Sequence, residues 1–521
     1  MRMRKENLDI NLSTLWSTTN GVSVVGCAYL GDDCLHGESL IGYFSTATNL
    51  DEFSSLVSSL NGIFSVVVQR ENFLVAAVDI TRLYPIFYTY KNNKWSISDN
   101  PYSLVFSDST ISPEALLQMR SLDTAFSDKT LVSDIYRLQV GEIVEFKQGG
   151  ILDKRTYFHY NVPTSQVQAS NADSLESVLK SAVQRLVKHA AGRQIVMPLS
   201  AGYDSRIIIT LLKEFGYTNV LTYTMGSEST ISECPVAKQV ASTLGYSNYS
   251  LNVKQIYKEL DLSDFNDYVQ YLGAFTNFCW TSEYVCIKWL EKNNLIDNDA
   301  IVVPGHAGDF FAGMDVTKSL VRENDSINTL ALRLLYNAFE SDSPIKLLRS
   351  IKQQLREASL KGDYAPSLYL DFIYRNRLSA FASNSARAYT FLGYEVAFPL
   401  WDKSFLEIMR RLPLSQLQNC SLYKDCVERV FKRNGVDFPK YFPHISVYKK
   451  QFLKNILRSL IPHSVIKYKL NSLDDLGTWT LAKNLCDGFA SACTRAKKPF
   501  SINSCLTEWY IGTVVKLLNK E

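Results

Sequence analysis

At 521 residues the chain exceeds the roughly 250–300 residues over which a single hydrophobic core grows efficiently, so two or three domains are expected. Apolar residues at 46% and charged residues at 21% exclude a disordered chain, and 55 basic against 52 acidic residues, a net charge of +3, exclude a dedicated nucleic-acid binder. No run approaches the ~20 apolar residues of a membrane span, and Met1-Arg2-Met3-Arg4-Lys5 leads into a polar stretch instead of a signal-peptide core, so a cytoplasmic protein without membrane insertion is expected.

From Gly21 to Tyr160 the chain reads as short strands between turn residues: Val22 to Leu30, Gly62 to Gln69, Phe73 to Asp79, Ile86 to Tyr90 and Trp95 to Ser98. Pro113 to Arg120 has helical spacing, and Gly141 to Phe146 returns to strand. Residues 1–160 therefore form a mainly β domain. Val162-Pro163-Thr164-Ser165-Gln166 and the polar residues after it make 161–172 the linker.

Residues 173–521 have a different grammar. Helix Ser174 to Ala190, apolar run Ile195 to Leu199, helix Ser205 to Phe215, strand Val220 to Thr224, helix Pro235 to Leu244 and strand Tyr249 to Val253 follow in turn, with helix Ser282 to Lys292 and apolar run Ala300 to Val303 beyond. Such alternation predicts βαβ units and an α/β fold with a parallel sheet. From about Ser326 the pattern is helical, with stripes such as Leu330, Leu334, Leu335 and Ala338 that pack helices together.

The ten cysteines include no C-x-x-C pair. The nearest pairs, Cys27/Cys34, Cys279/Cys286, Cys420/Cys426 and Cys486/Cys493, lack metal-ligand spacing and read as reduced, mostly buried thiols. The six histidines form no zinc motif.

Leu199 leads into Ser200-Ala201-Gly202-Tyr203-Asp204-Ser205, and an apolar helix follows at Arg206-Ile207-Ile208-Ile209. A small-residue turn between strand and helix lets backbone N–H groups converge on an anion, and the helix N-terminus adds its positive dipole end, so phosphate is the natural guest. Asp204 can cap the helix or hold Mg²⁺, while Ser200 and Ser205 can donate hydroxyls. S-x-G-x-D-S arises by accident in roughly one chain in a hundred of this length, and the surrounding strand and helix suit a phosphate loop. The Gly-Lys-Ser/Thr ending of a Walker A loop is missing.

A second strand-to-turn segment, Ile301-Val302-Val303-Pro304-Gly305-His306-Ala307-Gly308-Asp309-Phe310-Phe311-Ala312-Gly313, sets one carboxylate among apolar residues, which calls for a cation. Both loops of a parallel sheet open at its carboxyl edge, so Asp204 and Asp309 can share one metal.

Together these segments resemble the asparagine synthetase family and its relatives, the β-lactam synthetases and lasso-peptide cyclases, over nearly the whole chain. Ser200 to Ser205 resembles S-G-G-x-D-S, with Ala201 in place of the first glycine. Tyr223-Thr224-Met225-Gly226, with Glu233 and Ala237, resembles the strand and helix that hold adenosine, and Gly305 to Gly313 resembles G-x-G-x-D-E-x-x-G-G. Arg387 and Glu395-Val396-Ala397-Phe398-Pro399-Leu400-Trp401-Asp402 resemble D-R followed by E-v-R-x-P-F-L-D; Lys424 and Ile461-Pro462 to Lys469 fall at K-x-x-L-R and L-P-x-x-x-x-x-R-x-K. Upstream, Leu60-Asn61-Gly62-Ile63-Phe64 and Asp79 to Tyr88 resemble the L-x-G-x-F-A and R-D-x-x-G-x-x-P-L-Y-Y stretches of the family's glutaminase domain.

The resemblance implies an N-terminal-nucleophile β-sandwich followed by an ATP-pyrophosphatase domain, a doubly wound parallel sheet with a helical carboxy-terminal region. It also implies an ATP-dependent, AMP-forming carbon–nitrogen ligase. Leu199, Ser200, Ala201, Gly202, Tyr203, Asp204, Ser205, Met225, Gly226, Gly305 and Gly308 would bind ATP and pyrophosphate, Asp204 and Asp309 the Mg²⁺, and His306, Lys424, Glu395 and Lys469 would be catalytic. Met1 is followed by Arg2 instead of a nucleophilic cysteine, Cys27 lies inside an apparent strand, and R-G-P-D and N-G-E-I-Y-N are absent, so an inert amino-terminal scaffold is expected. His306 stands where asparagine synthetases carry Glu and β-lactam synthetases Tyr; with Phe310 after Asp309 and Ala397 for an arginine, this argues against free aspartate as substrate.

The expected partners are a small-molecule or peptide carboxylate and ammonia or an amine, with a separate glutaminase as one source; a homodimer stays open. Three readings remain: amidation of a small acid in surface-polysaccharide or natural-product biosynthesis, ring closure within one molecule, and a non-catalytic nucleotide-binding scaffold.

Overall fold

The strand β3 (Val22–Leu30) is apolar on both faces because both are covered. A computed structural model describes residues 8–226, 233–279, 281–338, 343–439, 477–496 and 501–519. In it β3 lies within a seven-stranded antiparallel sheet with β2 (Ser17–Thr19), β4 (Asp33–His36), β5 (Asn61–Arg70), β6 (Phe73–Val78), β10 (Glu142–Phe146) and β11 (Leu152–Thr156). Val24, Val66 and Val75 point to one side, against Leu40, Phe44, Phe53 and Val57 of helices α1 (Gly37–Phe44) and α2 (Leu50–Ser59). Val25, Val67 and Leu74 point to the other, against Ile86, Tyr88, Trp95 and Ile97. Tyr88, Trp95 and Ile97 belong to a second sheet of β1 (Leu8–Asn11), β7 (Phe87–Lys91), β8 (Lys94–Ser98) and β9 (Tyr136–Arg137). The period-2 pattern thus builds two stacked sheets with a helical layer outside.

Helices α1 and α2 lie in a half read as mainly β, where no helix was expected at 37–59. Both are short, yet α2 carries Leu50, Phe53 and Val57 on one face, and Asn49 caps it by accepting the N–H groups of Asp51 and Glu52. The helix at Pro113 is present as α3 (Pro113–Leu122).

The segment 161–172 crosses between the halves under tight hydrogen bonding. Val162 N–H donates to Ser367 Oγ at 3.0 Å, Thr164 N–H to the Gly362 carbonyl at 2.6 Å and Gln168 N–H to the Arg411 carbonyl at 2.8 Å. Beyond it, α4 (Ala172–Ala190), β12 (Ile195–Pro198), α5 (Tyr203–Glu214), β13 (Val220–Met225), α6 (Cys234–Leu244) and β14 (Ser247–Leu251) alternate. A five-stranded sheet, all parallel, is completed by β15 (Ile301–Val302) and β16 (Glu395–Val396) in the order β14-β13-β12-β15-β16. The chain leaves β12 toward β13 and β14, then returns to the opposite side at β15. Strand order therefore reverses between β12 and β15, which opens a crevice at their carboxyl ends.

The two halves are joined by polar contacts. Asn61 Nδ2 donates to Asp402 Oδ2 at 2.7 Å, and the Tyr160 N–H to Asp371 Oδ1 at 2.7 Å. One cysteine expectation is corrected: Cys27 and Cys34 are joined by a disulfide across the β3–β4 hairpin, beside His189 of α4. Among the described residues no helix is long and apolar enough to cross a membrane.

Candidate functional site

The loop after β12 is fixed by its own serines. Ser205 Oγ accepts the Ser200 N–H at 3.0 Å, Ser200 Oγ accepts the Gly202 N–H at 3.0 Å, and the two hydroxyls lie 3.1 Å apart. Leu199 N–H donates to the Tyr223 carbonyl, and Thr224 Oγ1 donates back to the Leu199 carbonyl, both at 2.8 Å. Arg206, fully buried, donates to the Ala201 carbonyl at 2.7 Å and to the Val436 and Phe438 carbonyls, with its guanidinium over the Phe431 ring. An arginine inside an apolar helix start was a legible signal, and it clamps the turn from below.

Gly202 occupies the N-cap of α5, so Asp204 is not the capping residue. Its carboxylate instead bridges to the loop after β15. Oδ2 accepts the Asp309 N–H at 3.1 Å, and Oδ1 accepts the Tyr423 hydroxyl at 2.9 Å. Tyr423 stands on the helix Ser421–Arg433, and no local spacing pointed to it. Burial first, then the charges of Asp204 and Asp309, push its phenol well above the usual range. Asp315 joins the same field: burial raises its pKa, Lys318 and Arg377 oppose the rise, and Asp309 adds to it.

The glycines of the second loop exist because the two loops touch. A Cβ on Gly305 would lie 2.5 Å from Ser205 Cα, and one on Gly308 would lie 2.6 Å from the Tyr423 hydroxyl and 2.7 Å from Asp204 Oδ1. Carboxylates converge here with loop N–H groups and hydroxyls. Oxygen donors suit Mg²⁺, which binds through one or two carboxylates plus phosphate oxygens, so the donor set fits a magnesium–pyrophosphate group held by Asp204 and Asp309.

His306 lies at the edge of this loop. Its Nδ1–H donates to the Ala382 carbonyl at 3.1 Å, and its ring stacks on Phe398 at 6.1 Å. Burial pulls its pKa down to about 4 against the opposing effect of that carbonyl, so the imidazole is neutral and presents Nε2 as an acceptor.

Met225 ends β13, and the register Pro198↔Tyr223 sets it level with Ser200; Gly226, at φ 134°, donates its N–H to the Leu251 carbonyl. Tyr203 turns its side chain away, donating to Glu428 Oε1 at 2.5 Å, so only its backbone belongs to the loop. Lys424 follows Tyr423 on the same helix and is half-buried. Lys469 lies outside the described residues.

Glu395 is not brought to this loop. It pairs with Ile301, level with Ile195 at the amino end of β12, five residues before Ser200 and so on the order of 16 Å away along the strand. There it is bonded to His189 and, at 2.9 Å, to Arg193 of the α4–β12 connection. Burial opposes its charge, but the bonds from His189 and Arg193 prevail and hold it below the usual range. Its place is in an ion-pair network beside the Cys27–Cys34 hairpin.

Comparison with known proteins agrees with this geometry. Residues 174–501 match the family model for asparagine synthase. The chain is similar to asparagine synthetase [glutamine-hydrolyzing] 1 of Bacillus subtilis (strain 168), 28% identical over 200 residues that cover 37% of this chain and 31% of that protein. It is also similar to the Microcin J25-processing protein McjC of Escherichia coli, 23% identical over 270 residues covering 50% of this chain and 49% of that one. The chain thus spans 31% and 49% of the length of these curated relatives. Among solved structures, a B. subtilis glutamine phosphoribosylpyrophosphate amidotransferase aligns with 48% of this chain and 75% of its own at 10% identity, and its TM-score of 0.20 carries no weight for the fold. The family match spans more than half of the chain and contains both loops of the β12–β15 crevice: the chain belongs to the asparagine synthase family.

Proposed function

We propose that this protein is an ATP-dependent, AMP-forming amide ligase, which adenylates a substrate carboxylate in the crevice between β12 and β15 and passes the acyl group to an amine. The observation that carries the reading is the junction of the two loops, where Asp204 binds the Asp309 N–H and the Tyr423 hydroxyl. The carboxylate oxygen attacks the α-phosphorus, the bond to the bridging oxygen breaks, and pyrophosphate leaves. The N–H groups at the start of α5 and the Ser200 and Ser205 hydroxyls hold that leaving group, so its charge is met by donors already in place. Magnesium bound by Asp204 and Asp309 would neutralise further charge on the departing pyrophosphate.

His306, neutral, accepts a hydrogen bond from the incoming amine and orients it, as a group with a pKa near 4 is too weak a base to remove its proton outright. Lys424 and Lys469 are proposed to stabilise charge as the amine attacks the acyl-adenylate.

Nitrogen is proposed to come from outside the amino-terminal half. In support, Cys27 and Cys34 are internal residues without a free α-amine and are joined to each other. A second reading, closure of a peptide onto its own carboxylate, is favoured by the likeness to a microcin-processing protein, the longer of the two alignments. Exchange of labelled pyrophosphate into ATP, dependent on one carboxylate from a panel of small acids and precursor-like peptides, tests the proposal. Formation of ADP and phosphate in its place overturns it.

A further inference from the structure

Three arginines are buried together where the halves meet. Arg82 and Arg137 come from the amino-terminal half and Arg387 from the synthase half, and all three line one small cavity, of about 10 Å³, with Thr276, Asn277 and Asn384. Among the described residues none of the three has a carboxylate within ion-pair distance; they bond to carbonyls, an amide oxygen and one hydroxyl, and the Arg387 guanidinium also lies 4.4 Å from the centre of the Tyr271 ring. Arg137 donates to the Ala125 and Ser127 carbonyls, Arg387 to the Leu272 carbonyl and Asn384 Oδ1, and Arg82 Nη2 to Ser379 Oγ at 3.3 Å. Arg82 Nη1 and Arg387 Nε are buried without a hydrogen-bond partner.

The acids whose fields reach the group are already engaged. Asp79 accepts the N–H groups of Phe64, Thr81 and Arg82, Glu142 accepts the Gln139 N–H, and Asp128 pairs with Lys154. Desolvated like charges with orphaned donors are unstable unless an opposite charge completes them. The backbone adds an independent sign: Arg82 sits at φ 54°, in the left-handed region that favours glycine, and it aligns with the glycine of R-D-x-x-G-x-x-P-L-Y-Y. A strained, buried arginine at such a position persists when its side chain is needed.

We propose that this cavity binds one small monovalent anion, which neutralises Arg82, Arg137 and Arg387 and ties the amino-terminal half to the synthase half. Its space takes a body about the size of one water molecule, which favours a halide over a polyatomic anion or a nucleotide. The inference does not rest on the proposed reaction.

The test is the melting temperature of the full chain in chloride, bromide, acetate or phosphate, with a bulky organic anion holding ionic strength constant. The expected result is a saturable rise of a few degrees with one of the small monovalent ions. Arg82→Gly, which accepts the backbone conformation and removes the guanidinium, is expected to abolish that rise. Crystals grown in bromide should show an anomalous peak among the three guanidinium groups. A melting temperature that follows ionic strength alone, a response unchanged in Arg82→Gly, or a cavity holding only water overturns the proposal.

Discussion

The Asp309 N–H donates to Asp204 Oδ2 at 3.1 Å, which joins two loops separated by 105 positions in the sequence. The Tyr423 hydroxyl occupies the other oxygen, so the Asp204 carboxylate is oriented from both sides before any ligand arrives. Asp204→Asn keeps the size of the side chain and removes the charge. Carboxylate-dependent pyrophosphate exchange is expected to fall by about 10²–10³-fold, while the melting temperature of the ligand-free protein changes by no more than a few degrees, since the amide oxygen still accepts the Asp309 N–H and the amide NH₂ can donate to the Tyr423 hydroxyl.

Gly305→Ala forces a methyl into the backbone of Ser205, with a contact at 2.5 Å that no side-chain rotation relieves. Overpacking of this kind costs roughly 1–3 kcal/mol, and the loops must part, so stability in urea and exchange activity fall together. Gly202→Ala serves as the control: its methyl meets only the Ser200 hydroxyl, at 3.0 Å, and a milder loss is expected.

His306 is held neutral, with a pKa near 4 against about 6.5 for a free imidazole. Between those values the unfolded chain binds a proton that the folded chain resists, so this residue erodes stability as pH falls from 6.5 toward 4 and has no effect above. His306→Gln is expected to flatten the acid side of the stability curve. If the wild-type and variant curves coincide from pH 6.5 to 4, the buried neutral imidazole is wrong. Because the ring does not titrate near neutrality, the rate profile from pH 6 to 8 should carry no inflection that disappears in the variant.

Glu395 is expected to act in stability rather than in chemistry. Its folded pKa is depressed, so its contribution is present above the ordinary carboxylate range and is lost as pH falls through the folded value. Glu395→Gln should lower the melting temperature at neutral pH and leave the exchange rate per folded molecule within about twofold, a smaller change than loss of a catalytic acid or base produces. A selective drop in exchange, with unchanged stability, returns the residue to the active site.

Much of this was legible locally. Strands β3, β5, β6 and β12 and helices α4, α5 and α6 fall within a few residues of where hydrophobic period and turn residues put them, and both functional loops announced themselves by small residues between an apolar strand and a helix. Tyr423 did not, because it reaches Asp204 through tertiary packing and has no spacing relation to either loop; Asp315 lies just beyond the second loop in sequence, and no motif residue marked it. Helix α2 was hidden by its serines, which favour turns when their neighbours are unknown. The displacement of Glu395 has another cause: a linear motif does not say which end of a strand it will occupy, and the register with Ile301 decides that.

The most direct test is a single-turnover reaction of the purified full chain with ATP labelled at the α- and γ-phosphates, magnesium, ammonia or an amine, and a panel of carboxylates, read as labelled products. One carboxylate is expected to elicit AMP in step with pyrophosphate, and Asp204→Asn to abolish both. Release of ADP, or AMP formation that persists in Asp204→Asn, contradicts the proposed reaction.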